Sequence, residues 1–133
     1  MASFMGAYGG QTYALMRIVL GFTFLFHGTQ KLLGFPLPPP EAPAFILYIA
    51  GPIELVGGAL VMIGLMTGWA AFICSGLMAA AYWMAHGMNA LFPIQNQGEL
   101  AVVYCFAFLF ISAHGSGMWS VDAARSSASP SDE

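Results

Sequence analysis

Charged side chains are scarce in this sequence. Its 133 residues include only three Lys or Arg and six Asp or Glu, which is 7% charged, whereas soluble domains carry roughly a quarter. Hydrophobic residues make up 59% of the chain, and the mean hydropathy is +0.75. So few polar groups cannot cover a protein surface in water, so the composition excludes an ordinary soluble domain and predicts a lipid environment.

Several other features are missing. The basic residues form no patch, which argues against nucleic acid as a partner. The first ten residues, MASFMGAYGG, lack the basic segment of a secretory signal, so we expect the first hydrophobic run to be retained. The two cysteines stand alone inside apolar runs, and no zinc, haem or phosphate-binding motif is present, so we expect no metal and no covalent cofactor.

Four hydrophobic runs are long enough to cross a bilayer, which takes about 20 residues. They cover residues 11–34, 45–66, 69–91 and 99–113, with a tight turn expected at 67–69 and Gly68 as the helix stop. The sequence predicts an all-α fold, an antiparallel four-helix bundle integral to the membrane. Residues 1–125 would form one domain and residues 126–133 a flexible polar tail, with loops 36–43 and 92–98 on the same face.

Orientation depends on basic residues near the ends of the spans. Arg17 near the start of the first span and Arg125 after the fourth favour both termini in the cytoplasm, in a multi-pass protein of the inner (cytoplasmic) membrane. Arg17 and Asp122 lie at similar depth, and we expect them to form a structural ion pair.

Polar residues cluster where three spans end at the opposite face. His27 and Lys31 end the first span one helical turn apart, His86 lies near the end of the third, and Glu99 begins the fourth. Equal depth predicts that Lys31 pairs with Glu99. These residues could form a ligand pocket, but snorkelling Lys and well-packed His would give the same pattern.

Glu54 lies about eleven residues into the second span, two residues after Pro52. A carboxyl at that depth is costly and marks function by default, although it could instead fix the register of two helices by pairing with Arg17 or His27. His27, Lys31, Glu54, His86 and Glu99 are thus the candidate ligand or quinone residues, and Phe24, Phe26, Tyr82 and Trp83 could line an aromatic slot.

Four segments in order carry a family resemblance. They are FLFHGTQKLLG, GPIELVGGALVMIGLMTGWAA, FPIQNQGELA and GSGMWSVDA, and with them the chain resembles the DoxX family of small four-helix membrane proteins from about residue 16 to 123. The resemblance implies a quinone-linked membrane redox system, since the family includes a subunit of a quinol oxidase and a thiosulfate:quinone oxidoreductase.

Two functions remain open. The chain could be a quinone- or quinol-associated subunit of an electron-transfer system, with bound quinone or lipid. Alternatively, it could be a non-catalytic accessory subunit that packs against a larger respiratory or photosynthetic membrane complex. Its expected partners are the lipid bilayer and other membrane subunits; solute transport is less favoured, because four short helices offer few discontinuous segments.

Overall fold

The computed structural model describes residues 3–128, and within that range the chain is helical with no strand. A single turn at Gly6–Tyr8 precedes α1 (Gly9–Leu33). The remaining helices are α2 (Ala44–Ile63), α3 (Thr67–His86), α4 (Pro93–Asn96), α5 (Glu99–His114) and α6 (Val121–Ala128). The predicted all-α class is confirmed.

Glycines bring α1 and α2 into backbone contact. A Cβ on Gly28 would strike the backbone of Leu55, and a Cβ on Gly58 would strike the backbone of Leu25. Later residues of α1 thus meet earlier residues of α2, so the two helices run in opposite directions. Small residues permit this close approach, which supports helix association where lipid offers no hydrophobic gain.

Side-chain hydrogen bonds join α3 to α5. Ser75 Oγ donates to the carbonyl of Cys105 at 2.8 Å, and Ser112 Oγ donates to the carbonyl of Gly68 at 2.9 Å. These two helices therefore also run in opposite directions. Both Cys74 and Cys105 are free thiols.

An aromatic core connects α1 with α5. The buried ring of Phe24 packs against Phe108 with 4.7 Å between ring centroids, and Tyr104 stacks on Phe108 at 5.6 Å. Tyr104 Oη also donates to Thr23 Oγ1 at 2.7 Å.

We call the end of the helices beside residues 34–43 and 87–98 the loop end. The end beside residues 9, 64–66 and 115–128 is the terminal end.

The turn between α2 and α3 lies earlier than predicted. Gly64 ends α2 with φ +72°, and Met66 at φ +48° precedes α3, whereas Gly68 lies inside α3. The prediction of a stop at Gly68 is wrong. A left-handed backbone position favours glycine, and Gly64 also leaves room that Ser120 and Arg17 occupy.

Two other boundaries differ from the sequence prediction. α3 ends at His86 rather than near residue 91. Residues 121–128, where no helix was predicted, form α6, whose start is capped by Ser120 Oγ accepting from the N–H of Ala123. Of the tail predicted at 126–133, residues 129–133 lie outside the described residues.

Two helices, Ala44–Ile63 and Thr67–His86, are long and apolar enough to cross a membrane, and Glu99–His114 is apolar but shorter. By this measure, two of the four predicted spans are supported. Large apolar side chains are exposed on all four long helices, among them Val19, Phe22, Phe45, Val56, Phe72, Trp83, Val103 and Phe106. Such a surface suits contact with lipid or another apolar partner rather than water.

Candidate functional site

A buried ion pair joins α1 to α2 near the loop end. Lys31 Nζ lies 2.6 Å from Glu54 Oε2 and 2.9 Å from Glu54 Oε1, with side-chain exposures of 13% and 4%. Within residues 3–128 it is the one pair of opposite side-chain charges closer than 4.0 Å. The carboxylate that the sequence places deep in the second span is therefore neutralised by one of the chain's three basic residues.

The predicted pairing of Lys31 with Glu99 is wrong, and helix geometry explains the error. Side chains on an α-helix tilt toward its N-terminus. Lys31 lies near the C-terminal end of α1 and so tilts inward, while Glu54 on the opposed α2 tilts toward the loop end, so they approach each other. Glu99 is the first residue of α5, tilts outward and is exposed.

Two helical irregularities carry residues of the site. The helix widens to π geometry at Ile53–Gly57, directly after Pro52, and again at Tyr82–His86. Proline removes a backbone donor and disrupts regular α-helical bonding, which accounts for the position of the first π turn. Single π turns are frequent at functional sites, and these two contain Glu54 and His86.

A cavity of about 280 Å³ lies between these π turns at the loop end. Its walls come from α1, α2, α3, α5 and the segment before α5: Phe24, His27, Glu54, Met78, Ala81, His86, Gln97, Leu100, Ala101 and Tyr104. The cavity therefore combines two imidazoles, a carboxylate and an amide with an apolar and aromatic floor.

A hydrogen bond fixes the His86 ring. Its Nδ1 lies 2.9 Å from the carbonyl oxygen of Asn96, and because a carbonyl only accepts, Nδ1 carries the hydrogen. In the neutral ring, Nε2 is then an acceptor. Asn96 is buried and is itself held: Nδ2 donates to Tyr82 Oη and to the carbonyl of Ala90, and Oδ1 accepts from the N–H of Gly98.

His27 faces the cavity beside two aromatic rings. The Tyr104 ring stands edge-on to it at 6.0 Å, and Phe24 lies at 6.5 Å. The hydroxyl of Tyr104 is engaged with Thr23, so the two rings make this part of the wall mainly apolar. A planar ligand could stack there while the imidazole bonds to its polar edge.

The cavity brings together three of the five candidate ligand residues, His27, Glu54 and His86. Lys31 reaches it indirectly through Glu54, and Glu99 does not line it. Of the predicted aromatic slot, Phe24 lines the cavity, whereas Phe26 packs against Phe22 and Phe35, and Tyr82 and Trp83 line a neighbouring cavity.

Sequence reasoning missed Tyr104 as a wall residue. The available signal was a tyrosine in the middle of the apolar run AVVYCFAF, since a buried hydroxyl needs a hydrogen-bond partner and therefore faces other helices. Thr23, on the facing side of α1, supplies that partner.

At the terminal end, the charged side chains bind backbone groups. Arg17 is completely buried, and its guanidinium donates to four backbone carbonyls. Nη1 bonds to Val61 and Met62 at 2.7 and 2.8 Å, and Nη2 bonds to Met118 and Trp119 at 3.3 and 2.7 Å. Val61 and Met62 belong to the last turn of α2, where free carbonyls and the helix dipole favour a cation.

Asp122 caps the other side of the same turn. Oδ1 accepts from the N–H of Met66, and Oδ2 accepts from the N–H and the hydroxyl of Thr67, all within 3.0 Å. Burial raises the pKa of Asp122, but these bonds from Thr67 and Met66 and the charge of Arg125 outweigh it and hold the pKa below the ordinary 3.8.

The predicted ion pair of Arg17 with Asp122 is therefore replaced by two backbone clamps. Both residues hold the segment from Val61 to Thr67, but their charged atoms are occupied by its carbonyls and N–H groups. Over residues 3–128, no group of three or more His, Cys, Asp or Glu is placed to hold a metal ion.

Comparison with known proteins assigns a family. An uncharacterized protein of Haemophilus influenzae is 41% identical over 116 residues, covering 82% of this chain and 87% of the relative. A Bacillus subtilis protein named "Putative oxidoreductase CatD" is 36% identical over 58 residues, covering 40% of this chain and 43% of that protein. No solved structure matches. The DoxX family model matches residues 12–87, more than half of the chain, so this chain belongs to the DoxX family.

Proposed function

We propose that this chain is a quinone- or quinol-binding subunit of a membrane electron-transfer system, built as an antiparallel four-helix membrane bundle. The observation that carries the proposal is the loop-end cavity, where His27, Glu54 and His86 converge on one space beside Phe24 and Tyr104. The partial match to a relative named as an oxidoreductase supports the same class of function.

The cavity suits the chemistry of a quinone ring. A quinone is flat and apolar, with a carbonyl acceptor at each of two opposite edges. The rings of Phe24 and Tyr104 offer a stacking surface. The His27 imidazole can donate to a quinone carbonyl, and Nε2 of the neutral His86 ring can accept a hydrogen bond or a proton from a quinol hydroxyl. A volume of about 280 Å³ lies near the lower end of ligand pockets and fits one ring rather than a larger cofactor.

The test is quinone binding by the purified protein in lipid nanodiscs. We expect decylubiquinone to bind the unaltered chain and to bind His27→Ala about tenfold more weakly, because one hydrogen bond is lost. The matched control is His114→Ala, since His114 is exposed at the terminal end and stacks on Tyr13. No binding to the unaltered chain, or equal loss in the two variants, would contradict the proposal.

We further propose that the chain is a multi-pass protein of the inner membrane and that both of its termini lie in the cytoplasm. Arg17 and Arg125 lie at the terminal end, whereas Lys31 at the loop end is neutralised by Glu54. Basic residues favour the cytoplasmic side. A phosphatase fused after residue 133 should be inactive and a fluorescent protein fused there should fluoresce; the reverse result would invert the orientation.

A second candidate is a non-catalytic subunit of a larger membrane complex. The observation that favours it is the exposed aromatic surface of α3 and α5, including Trp69, Phe72, Phe106 and Phe110, which could receive a partner helix as well as lipid. Purification in mild detergent separates the two. If the chain stays attached to a large redox complex and carries no quinone when isolated, the accessory role is supported. If the isolated chain carries quinone, the quinone-binding function is supported.

A further inference from the structure

The site cavity has a neighbour between α3 and α5. This second cavity, which we call the α3–α5 groove, has a volume of about 400 Å³ and shares the wall residues Met78 and Ala101 with the site cavity. The partition is thin, because Ala101 contributes only a methyl group and Met78 has a flexible, unbranched side chain.

The α3–α5 groove is apolar and reaches the outer surface. Trp83 and Phe106 line it and are 62% and 65% exposed. The hydroxyl of Tyr82, another lining residue, accepts a hydrogen bond from Asn96. Below the groove, the bond from Ser75 to the carbonyl of Cys105 holds α3 and α5 together. The groove therefore suits a hydrocarbon chain that leaves the site cavity toward lipid.

A competing path lies between α2 and α3. That cavity measures about 240 Å³ and shares only Ala81 with the site cavity. The α3–α5 groove is larger and shares two wall residues with the site, so the path between α3 and α5 is favoured.

We infer that the α3–α5 groove holds the apolar chain of the ligand whose ring occupies the site cavity. The ligand class is then a long-chain, lipid-soluble quinone rather than a small water-soluble one. This inference rests on the proposed quinone function.

Two adjacent alanines provide a matched test. Ala79 lines the α3–α5 groove and Ala80 lines the cavity between α2 and α3, while neither lines the site cavity. Ala79→Phe should weaken binding of decylubiquinone in nanodiscs about tenfold, equivalent to about 1.4 kcal/mol. It should leave binding of duroquinone, which has the ring but no chain, unchanged, and Ala80→Phe should affect neither compound.

The contrary outcomes are distinct. If decylubiquinone binding is weakened selectively in Ala80→Phe, or in neither variant, the inference about the groove is overturned. The proposed function still stands in that case if duroquinone binds. Failure of both compounds to bind the unaltered protein overturns both.

A measurement on the unaltered protein covers the case in which a variant fails to fold. Decylubiquinone carrying a photoreactive diazirine at the end of its chain should label Trp83 or Phe106. Labelling of Phe45 or Ile49, which line the cavity between α2 and α3, would overturn the inference.

Discussion

The loop end and the terminal end both bury charge, but they satisfy it in different ways. At the loop end, Lys31 and Glu54 neutralise each other beside a cavity. At the terminal end, Arg17 and Asp122 each bind backbone groups of the segment that joins α2 to α3. The first arrangement links two side chains, and the second links side chains to the path of the main chain.

Because of this difference, we expect the loop end to serve ligand binding and the terminal end to serve the stability of the fold. A side-chain pair can exchange partners with a ligand when one enters, because either group can rotate. A guanidinium that holds four carbonyls from two segments cannot move without unfolding the turn. We therefore expect changes at the terminal end to act on stability alone, and changes at the loop end to act on stability and on ligand binding.

The largest effect should come from Arg17→Met. Four backbone carbonyls would lose their donor at about 1 kcal/mol each, so we expect a loss of about 4 kcal/mol in the free energy of unfolding. Unfolding in mixed detergent micelles measures it. Adding Asp122→Asn should restore little, because the charged atoms of the two residues bind backbone groups and not each other. A double variant clearly more stable than Arg17→Met would restore the ion-pair account.

Lys31→Met should cost about 3 kcal/mol, the lower end for a broken buried pair, because Lys31 is 13% exposed and water can reach it. Adding Glu54→Gln should recover much of that loss, as a mutant cycle shows for a coupled pair. The matched control adds Glu99→Gln instead, which should recover nothing. Recovery with Glu99→Gln alone would show that the pair seen here is not the one that stabilises the protein.

Asn96→Ala should sharpen the comparison, since Asn96 binds backbone at the loop end. Loss of its side-chain bonds should cost about 2 kcal/mol. Unlike changes at the terminal end, it should also weaken decylubiquinone binding, because the segment that holds His86 would shift. Asn89→Ala is the control, as Asn89 is exposed and makes one bond to Ala85. Unchanged binding in a destabilised Asn96→Ala would show that this residue has no role in positioning His86.

The smallest expected effect is on the pH dependence of stability. The pKa of Asp122 is lowered in the folded protein, so its contribution to stability is complete above the ordinary value of 3.8 and is lost as pH falls through the lower folded-state value. Stability measured from about pH 5 to about pH 3 should therefore fall more steeply in the unaltered chain than in Asp122→Asn. Glu41→Gln, at an exposed loop position, should follow the unaltered chain. Parallel curves for the unaltered chain and Asp122→Asn would contradict the capping role.

Helix positions were largely predictable because burial in lipid requires long apolar runs, and these are visible in the sequence. The second turn was not, since both Gly64 and Gly68 could end a helix. What decides between them is tertiary: Arg17 and Ser120 pack against the space that Gly64 leaves. α6 was not predicted because its sequence, VDAARSSA, is polar and short. Its start is held by the local cap from Ser120 and by the contact of Asp122 with Thr67, which only the fold brings about.

The candidate site was predictable as a set of residues but not as a set of contacts. Depth along the helices correctly grouped His27 and His86 at one end. Depth alone could not find the partner of Lys31, because side chains tilt toward the N-terminus of their helix. On two antiparallel helices this tilt moves the charged atoms in opposite directions along the bundle axis. The π turns, which set the directions of Glu54 and His86, depend on backbone bonding and have no clear residue signature beyond Pro52.

The bonds of Arg17 also impose an order on synthesis. Its four acceptors follow it in the chain by 44, 45, 101 and 102 residues. During translation, Arg17 is therefore synthesised early, and its last two acceptors, the carbonyls of Met118 and Trp119, are synthesised only after α5. Until residues 118 and 119 emerge, the first helix carries a cation that is only half satisfied. Final closure of the terminal end therefore waits for residues 118 and 119, and a chain that stops before these residues lacks the groups needed to close it.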